Sequence, residues 1–246
     1  NYLRKTQCHA GWDWNIALSP IGFYDDIFLS VADPVQFDDF MVRQKHHENG
    51  NVTLELDVHF AAHGVGEIEL EASICGVDTN VLINYNPGEN AHSISIDIET
   101  PALWWPVGKG EQTLHALEVR LGATARARKI GFRDIKLDTS ADAIGNRFAF
   151  IINGEEMFMR GANWIPADAM PQNCTPETVR DRLQSAVDAN INMIRVWGGG
   201  QYEPDWFYDM CSEMGILVWQ DFMFACNLYP AHDKAWLKSR REEARY

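Results

Sequence analysis

The hydrophobic rhythm of this chain changes twice along its length, and those changes limit the available folds more than any other feature. Between residues 34 and 140, apolar side chains recur at every second position. Val52, Leu54, Leu56, Val58 and Phe60 alternate with Thr53, Glu55, Asp57 and His59. Ile68, Leu70, Ala72 and Ile74 alternate with Glu69, Glu71 and Ser73, and the sets Ile94, Ile96, Ile98 and Leu117, Val119, Leu121 repeat the pattern. Successive side chains of a strand point to opposite faces, so a period of two with one apolar face marks a half-buried antiparallel strand. Turn signals at Glu48-Asn49-Gly50, between Gly64 and Gly66, and at Asn86-Pro87-Gly88 separate these stretches.

A run of roughly a hundred such residues predicts an immunoglobulin-like β-sandwich over 34–140. Residues 1–33 are aromatic and turn-rich, with Gly11-Trp12-Asp13-Trp14 and Ser19-Pro20-Ile21-Gly22, and read as the last strands of another β-domain. From about Ile144 the rhythm becomes strand–helix–strand. A hairpin around Asn153-Gly154 leads in. Thr175-Pro176-Glu177 then predicts a helix start, with a hydroxyl N-cap, proline at the first helical position and an acid near the positive end of the dipole. Val179, Leu183, Ala186 and Val187 mark its inner face. Met193 to Trp197 reads as a strand, Asp205 to Met214 as a helix stopped by Gly215, and Ile216 to Trp219 as another strand. Asp233 to Tyr246 opens a third helix, with Lys238 and Glu242 paired one turn apart. Three βα units in series imply a parallel sheet, and a (β/α)8 barrel takes about 250 residues, so residues 141–246 are expected to be the first part of one. The chain does not begin with Met and is read as a piece of a longer protein.

The charge balance excludes some partners. With 21 basic and 35 acidic residues the net charge is −14, which argues against nucleic acid and anionic membrane. The cysteines Cys8, Cys75, Cys174, Cys211 and Cys226 are odd in number, widely spaced and form no C-x-x-C pair. That fits free thiols in a reducing, cytoplasmic setting better than a disulfide framework or a zinc site, and neither metal nor cofactor is expected. No apolar run approaches the ~20 residues of a membrane helix.

In a βα barrel the chemistry gathers where each strand ends and its loop begins. Here those ends read Arg160-Gly161-Ala162-Asn163-Trp164, Arg195-Val196-Trp197-Gly198-Gly199-Gly200 and Trp219-Gln220-Asp221-Phe222. Indole rings to stack on, together with an amide, a guanidinium and a carboxylate for vicinal hydroxyls, are what sugar recognition requires. Plainer readings stand beside this one. A strand-end Trp is more often core. Arg195 is equally placed to bridge to Asp221 as a structural pair. The glycine run lacks the spacing of a dinucleotide loop and fits a tight turn. His46-His47 reads as a solvated loop, with no third ligand at a metal-site spacing. Asp13 between two indoles is either a satisfied turn residue or a holder of sugar hydroxyls.

Three blocks carry a resemblance: Arg160-Gly161-Ala162-Asn163-Trp164-Ile165-Pro166-Ala167-Asp168, the stretch from Asn192 to Gly200, and the stretch from Gly215 to Phe224. They resemble the start of the catalytic barrel of exo-acting β-mannosidases in glycoside hydrolase family 2. Leu103-Trp104-Trp105-Pro106-Val107-Gly108 resembles that family's middle sandwich, and Gly11-Trp12-Asp13-Trp14 the end of its sugar-binding jelly roll. The Arg-Val-Trp-Gly-Gly-Gly block favours mannosidases over the family's galactosidases and glucuronidases. The resemblance implies retaining hydrolysis of a terminal β-mannoside in an oligosaccharide or glycan, by two glutamates about 5–5.5 Å apart. Neither glutamate has a counterpart before Tyr246, so the chain by itself is expected to be inactive. By the same resemblance Asp13 and Trp197 belong to the pocket for the terminal sugar, and Arg195 lies near the nucleophile. Trp14, Asn163, Trp164 and Asp221 complete the candidate sugar-binding set. An incomplete barrel leaves apolar surface open, so a homodimer is also expected.

Overall fold

The computed structural model describes residues 5–18, 22–23, 27–29 and 34–244. The chain divides into two compact units, one of Ile27–Phe158 and one of Asn1–Asp26 with Met159–Tyr246. The antiparallel unit holds β1 (Val35–His46), β2 (Val52–Ala62), β3 (Gly66–Ile74), β4 (Val77–Tyr85), β5 (Gly88–Ile98), β6 (His115–Leu121) and β7 (Thr124–Ile130). Three strands pair in the order β1-β2-β5 and four in the order β4-β3-β6-β7. The alternation read from the sequence is the burial pattern observed: along β2, Val52, Leu54, Leu56, Val58 and Phe60 are buried and the residues between them half-exposed. These side chains meet Leu70, Ala72, Ile74, Leu117, Val119 and Leu121 from the other sheet in one core, which is the burial that sets the register of each strand.

Several strands here carried no clear alternation in sequence. β1 contains a bulge between Phe37 and Asp39. The bulge turns Phe37 and Phe40 both inward, which no strict period of two can do. Arg126 and Arg128 of β7 satisfy this irregular backbone: Arg126 Nη2 donates to the Phe37 carbonyl and Arg128 Nη1 to the Phe40 carbonyl, while Arg128 Nη2 meets Asp39 at 2.6 Å. His46 corrects its expected place. It ends β1 instead of lying in a loop, its ring bonded to Gln44, and burial lowers its pKa.

A third antiparallel sheet, in the order β10-β9-β8, is formed by β8 (Ile135–Asp138), β9 (Ala149–Ile152) and β10 (Glu155–Met157). Asn153 and Gly154 turn its hairpin, both with positive φ. This hairpin groups with the antiparallel unit, whereas the sequence reading placed it with the segment that follows.

The βα unit is a three-stranded parallel sheet of β11 (Gly161–Trp164), β12 (Met193–Val196) and β13 (Leu217–Gln220), interleaved with α1 (Pro176–Asp188), α2 (Asp205–Glu213) and α3 (Lys234–Glu243). Thr175 caps α1 in a reciprocal box with Thr178, as its sequence predicts. Gly215, at φ 77°, ends the α2 turn. Val179 and Leu183 of α1 and Phe207, Met210 and Cys211 of α2 pack on Ile194 and Val196, so the helices cover one face of the sheet. Asn163, Arg195 and Trp219 are register partners across the three strands, on the alternate positions. The strand ends therefore line up side by side.

The N-terminal residues differ from expectation. Among the described residues of 1–33 there is a 3-10 turn, Gln7–His9, and a single bridge between Ala10 and Ala17, not a set of strands. Backbone groups here are satisfied by the βα unit instead, Cys8 N donating to the Gly199 carbonyl at 2.8 Å. The turn read at 19–21 lies outside the described residues.

Candidate functional site

Three of the predicted polar residues form one network at the ends of the parallel strands. Arg195 donates to both oxygens of Asp221, from Nε to Oδ1 at 3.2 Å and from Nη2 to Oδ2 at 2.6 Å. Its Nη1 donates to Asn163 Oδ1 at 3.1 Å. Gly198 N adds a fourth bond, to Asp221 Oδ2, at 3.1 Å. The two-point fork fixes the guanidinium plane, which a lysine ammonium would not do. The pair is neither buried nor free in water: the side chains are 40% and 19% exposed for Arg195 and Asp221. The bridge weighed from sequence is thus present, and it is the same contact that draws the three strand ends together.

Beyond β12 the chain makes the tight turn expected of Gly198-Gly199-Gly200. Trp197 N donates to the Trp164 carbonyl, and Gly200 N closes back to the Trp197 carbonyl. Gly198 and Gly199 have separate reasons to lack a side chain. A Cβ on Gly198 would lie 2.5 Å from the Phe222 carbonyl oxygen and 2.6 Å from that of Phe224. A Cβ on Gly199 would fall inside the Trp197 indole, 2.0 Å from its nearest atom, so the indole lies flat over the turn.

Trp197 is the centre of an aromatic group. Trp12 meets it edge-on with ring centroids 4.9 Å apart, and Trp14 lies at 6.0 Å. Trp14 is 50% exposed. Edge-on and tilted indoles of this kind stabilise one another, and the half-exposed Trp14 presents ring surface to solvent. Trp12 is a member of this group that the sequence reading does not single out, although its place two residues before Trp14 is a usable signal. Asp13 lies between them on the exposed turn closed by Asn15 N on the Trp12 carbonyl. Asp13 is not bonded into the Arg195 network.

Trp164 goes elsewhere. Its Nε1 donates to Glu203 Oε1 at 3.0 Å and its ring packs at 5.1 Å from Phe207. Glu203 is buried, and that burial raises its pKa against the lowering effect of hydrogen bonds from Trp164 and Gln201. Sequence reasoning missed it, since an acid ahead of a helix start reads as an ordinary solvated loop residue. Among the described residues no group of three or more His, Cys, Asp and Glu side chains is arranged to hold a metal ion. Glu243 of α3 is half-buried and paired with Arg240.

Two antiparallel sheets around one core, and parallel βα strands with rings and charged groups at their ends, define a chain of mixed β and α/β class. The model of the glycosyl hydrolases family 2 matches residues 35–133, and the chain belongs to that family. Its relatives within that family include β-mannosidases. It is 36% identical to the beta-mannosidase of Capra hircus over 99% of this chain and 29% of that protein. It is 34% identical to beta-mannosidase B of Emericella nidulans, again over 99% of this chain and 30% of that protein. The crystal structure of the beta-D-mannosidase from Dictyoglomus thermophilum matches 98% of this chain and 31% of its own, with 33% identity and a TM-score of 0.90. The chain thus spans under a third of the length of each.

Proposed function

We propose that this chain forms part of a retaining exo-β-mannosidase and contributes one wall of the pocket for a terminal β-linked mannose of an oligosaccharide or glycan. The observation that carries the reading is the rim itself: Asn163, Arg195 and Asp221 locked in one network beside the Trp12–Trp14–Trp197 group. On this reading the antiparallel unit is the family's immunoglobulin-like sandwich, the βα unit is the first part of its (β/α)8 barrel, and residues 5–18 are the tail of its jelly roll. Rings bind the apolar face of the sugar and the polar network meets its hydroxyls. The guanidinium has five N–H groups, three of them engaged with Asn163 and Asp221, so further donors remain for substrate or for a carboxylate nucleophile.

The resemblance provides no acid/base and no nucleophile among these 246 residues. The chain therefore supplies sugar-holding groups, and is inactive alone. The decisive experiment assays the full-length protein on aryl β-mannoside, β-galactoside and β-glucuronide. Preference for the mannoside is expected. Preference for another sugar makes it a different exo-β-glycosidase of the family, and binding without hydrolysis makes it a carbohydrate-binding protein on the same fold. In that protein Asp13→Ala should weaken transition-state binding by roughly 1.5–3 kcal/mol with the melting temperature retained, if Asp13 holds a sugar hydroxyl. An unchanged kcat/KM would leave Asp13 as a turn residue.

A further inference from the structure

Glu203 is a carboxyl with only 8% of its surface exposed, at the end of the turn that carries Trp197. The groups that meet it are neutral donors. Trp164 Nε1 lies at 3.0 Å, and the Gln201 side chain also bonds it. Gln201 Oε1 is taken by the Thr6 hydroxyl at 3.1 Å. An indole has a single donor and no acceptor, so one bond to a fixed acceptor determines the direction of its ring. The segment is tied to β13 as well, because the Tyr208 hydroxyl donates to Gln220 Oε1 at 2.6 Å. Glu203 thus sits where the end of β11, the 198–203 turn and the start of α2 come together. A buried carboxyl without an ionic partner is costly to keep, so stability alone does not account for it.

We propose that Glu203 is a positioning residue, whose buried carboxyl orients the Trp164 indole and secures the turn bearing Trp197 so that the rim meets a saccharide in one geometry. This rests on the sugar-binding reading of the rim. Glu203 acts through Trp164 and has no contact with the sugar. The thiols and the phenol around it stay neutral below about pH 8: burial raises Cys174 and brings Tyr208 and Cys211 each up to about 12. Asp168, beside Cys174, is held below its usual range by the Met170 backbone N–H. Glu203 itself is raised from 4.5 by burial, and His9, whose pKa burial lowers from 6.5 while Asp168 favours its charge, is a second group in this unit that changes charge in acid.

The test uses the full-length protein labelled with 5-fluorotryptophan, the Trp164 resonance in its 19F spectrum being assigned through Trp164→Phe. That resonance should titrate with a midpoint above 4.5, and the titration should vanish in Glu203→Gln. Glu203→Gln keeps one acceptor, and the Gln201 amide can reverse to match it, so KM for an aryl β-mannoside should stay within about threefold. Glu203→Leu removes both acceptors; it should shift the Trp164 resonance and raise KM about tenfold with kcat less affected. A Trp164 resonance identical in all three proteins overturns the proposal, as does equal impairment in Glu203→Gln and Glu203→Leu. If Glu203→Leu does not fold, Trp164→Phe decides: an unchanged KM overturns it, and a raised KM to which Glu203→Gln adds nothing supports it. If the parent hydrolyses no β-mannoside, the sugar reading fails, while the resonance still reports whether Glu203 holds Trp164.

Discussion

Arg195 joins the ends of all three parallel strands, and its contribution is measurable as a coupling. Arg195→Met and Asp221→Asn each break the same fork, so their combined effect on stability should fall short of additivity by about 1–2 kcal/mol in urea denaturation. Additivity would mean that the fork is not held in solution. Arg195→Lys should not restore the coupling, because one ammonium replaces a planar two-point donor. A different residue sets a dependence on pH. His9 is 3% exposed, and burial lowers its pKa below 6.5, partly opposed by Asp168. Below 6.5 the unfolded state takes a proton that the folded state resists. The stability due to neutral His9 is therefore present above 6.5 and lost as pH falls through the lower folded value. The urea midpoint should drop as pH falls below about 6.5, with a shallower drop in His9→Gln. An identical slope in the two proteins would clear His9 of this role.

At the scale of elements, α1 and the glycine turn make contrasting forecasts. Thr175→Ala removes the cap of α1 and should cost about 1 kcal/mol, read from thermal unfolding. Its surroundings need not move. In Gly199→Ala the new methyl meets a ring, and in Gly198→Ala it meets two carbonyl oxygens that belong to backbone. Overpacking of this kind costs about 1–3 kcal/mol. Gly199→Ala should act mainly by tilting Trp197 away from Trp12, which near-ultraviolet circular dichroism reads as a lost aromatic signal. An unchanged spectrum would show that the indole does not lie over the turn.

Across the whole molecule, the greatest burial is in the two-sheet core, where Leu54 is fully enclosed. Leu54→Ala should cost about 2–5 kcal/mol, measured by denaturant unfolding. The parallel sheet is in a different position. β11 and β13 are both edges, and Trp219 and Phe222 beside β13 are exposed. Open edges with apolar neighbours promote strand-to-strand association. The 246-residue chain is therefore expected to self-associate, and light scattering that returns a monomer at all concentrations would refute this.

Much of this architecture was already determined by periodicity. The alternating residues of β2, β3, β5 and β6 give the buried faces they predict, and α1 starts at its N-cap, because these signals are local: a side chain's face follows from its position along its own element. The rim was legible in part for the same reason, since residues just past short apolar strands must lie at strand ends. What sequence left open was every choice among partners. Arg195 was equally placed to serve substrate or Asp221, and only the parallel register showed Asn163, Arg195 and Asp221 within bonding distance. The bulge that turns Phe37 and Phe40 inward, the bonding of residues 6–8 to the turn after β12, and the burial of Glu203 beneath Trp164 were also invisible. Each depends on chain segments brought together from far apart in sequence, and a hydrogen bond or a buried charge is decided by what arrives opposite it, which only the tertiary structure specifies.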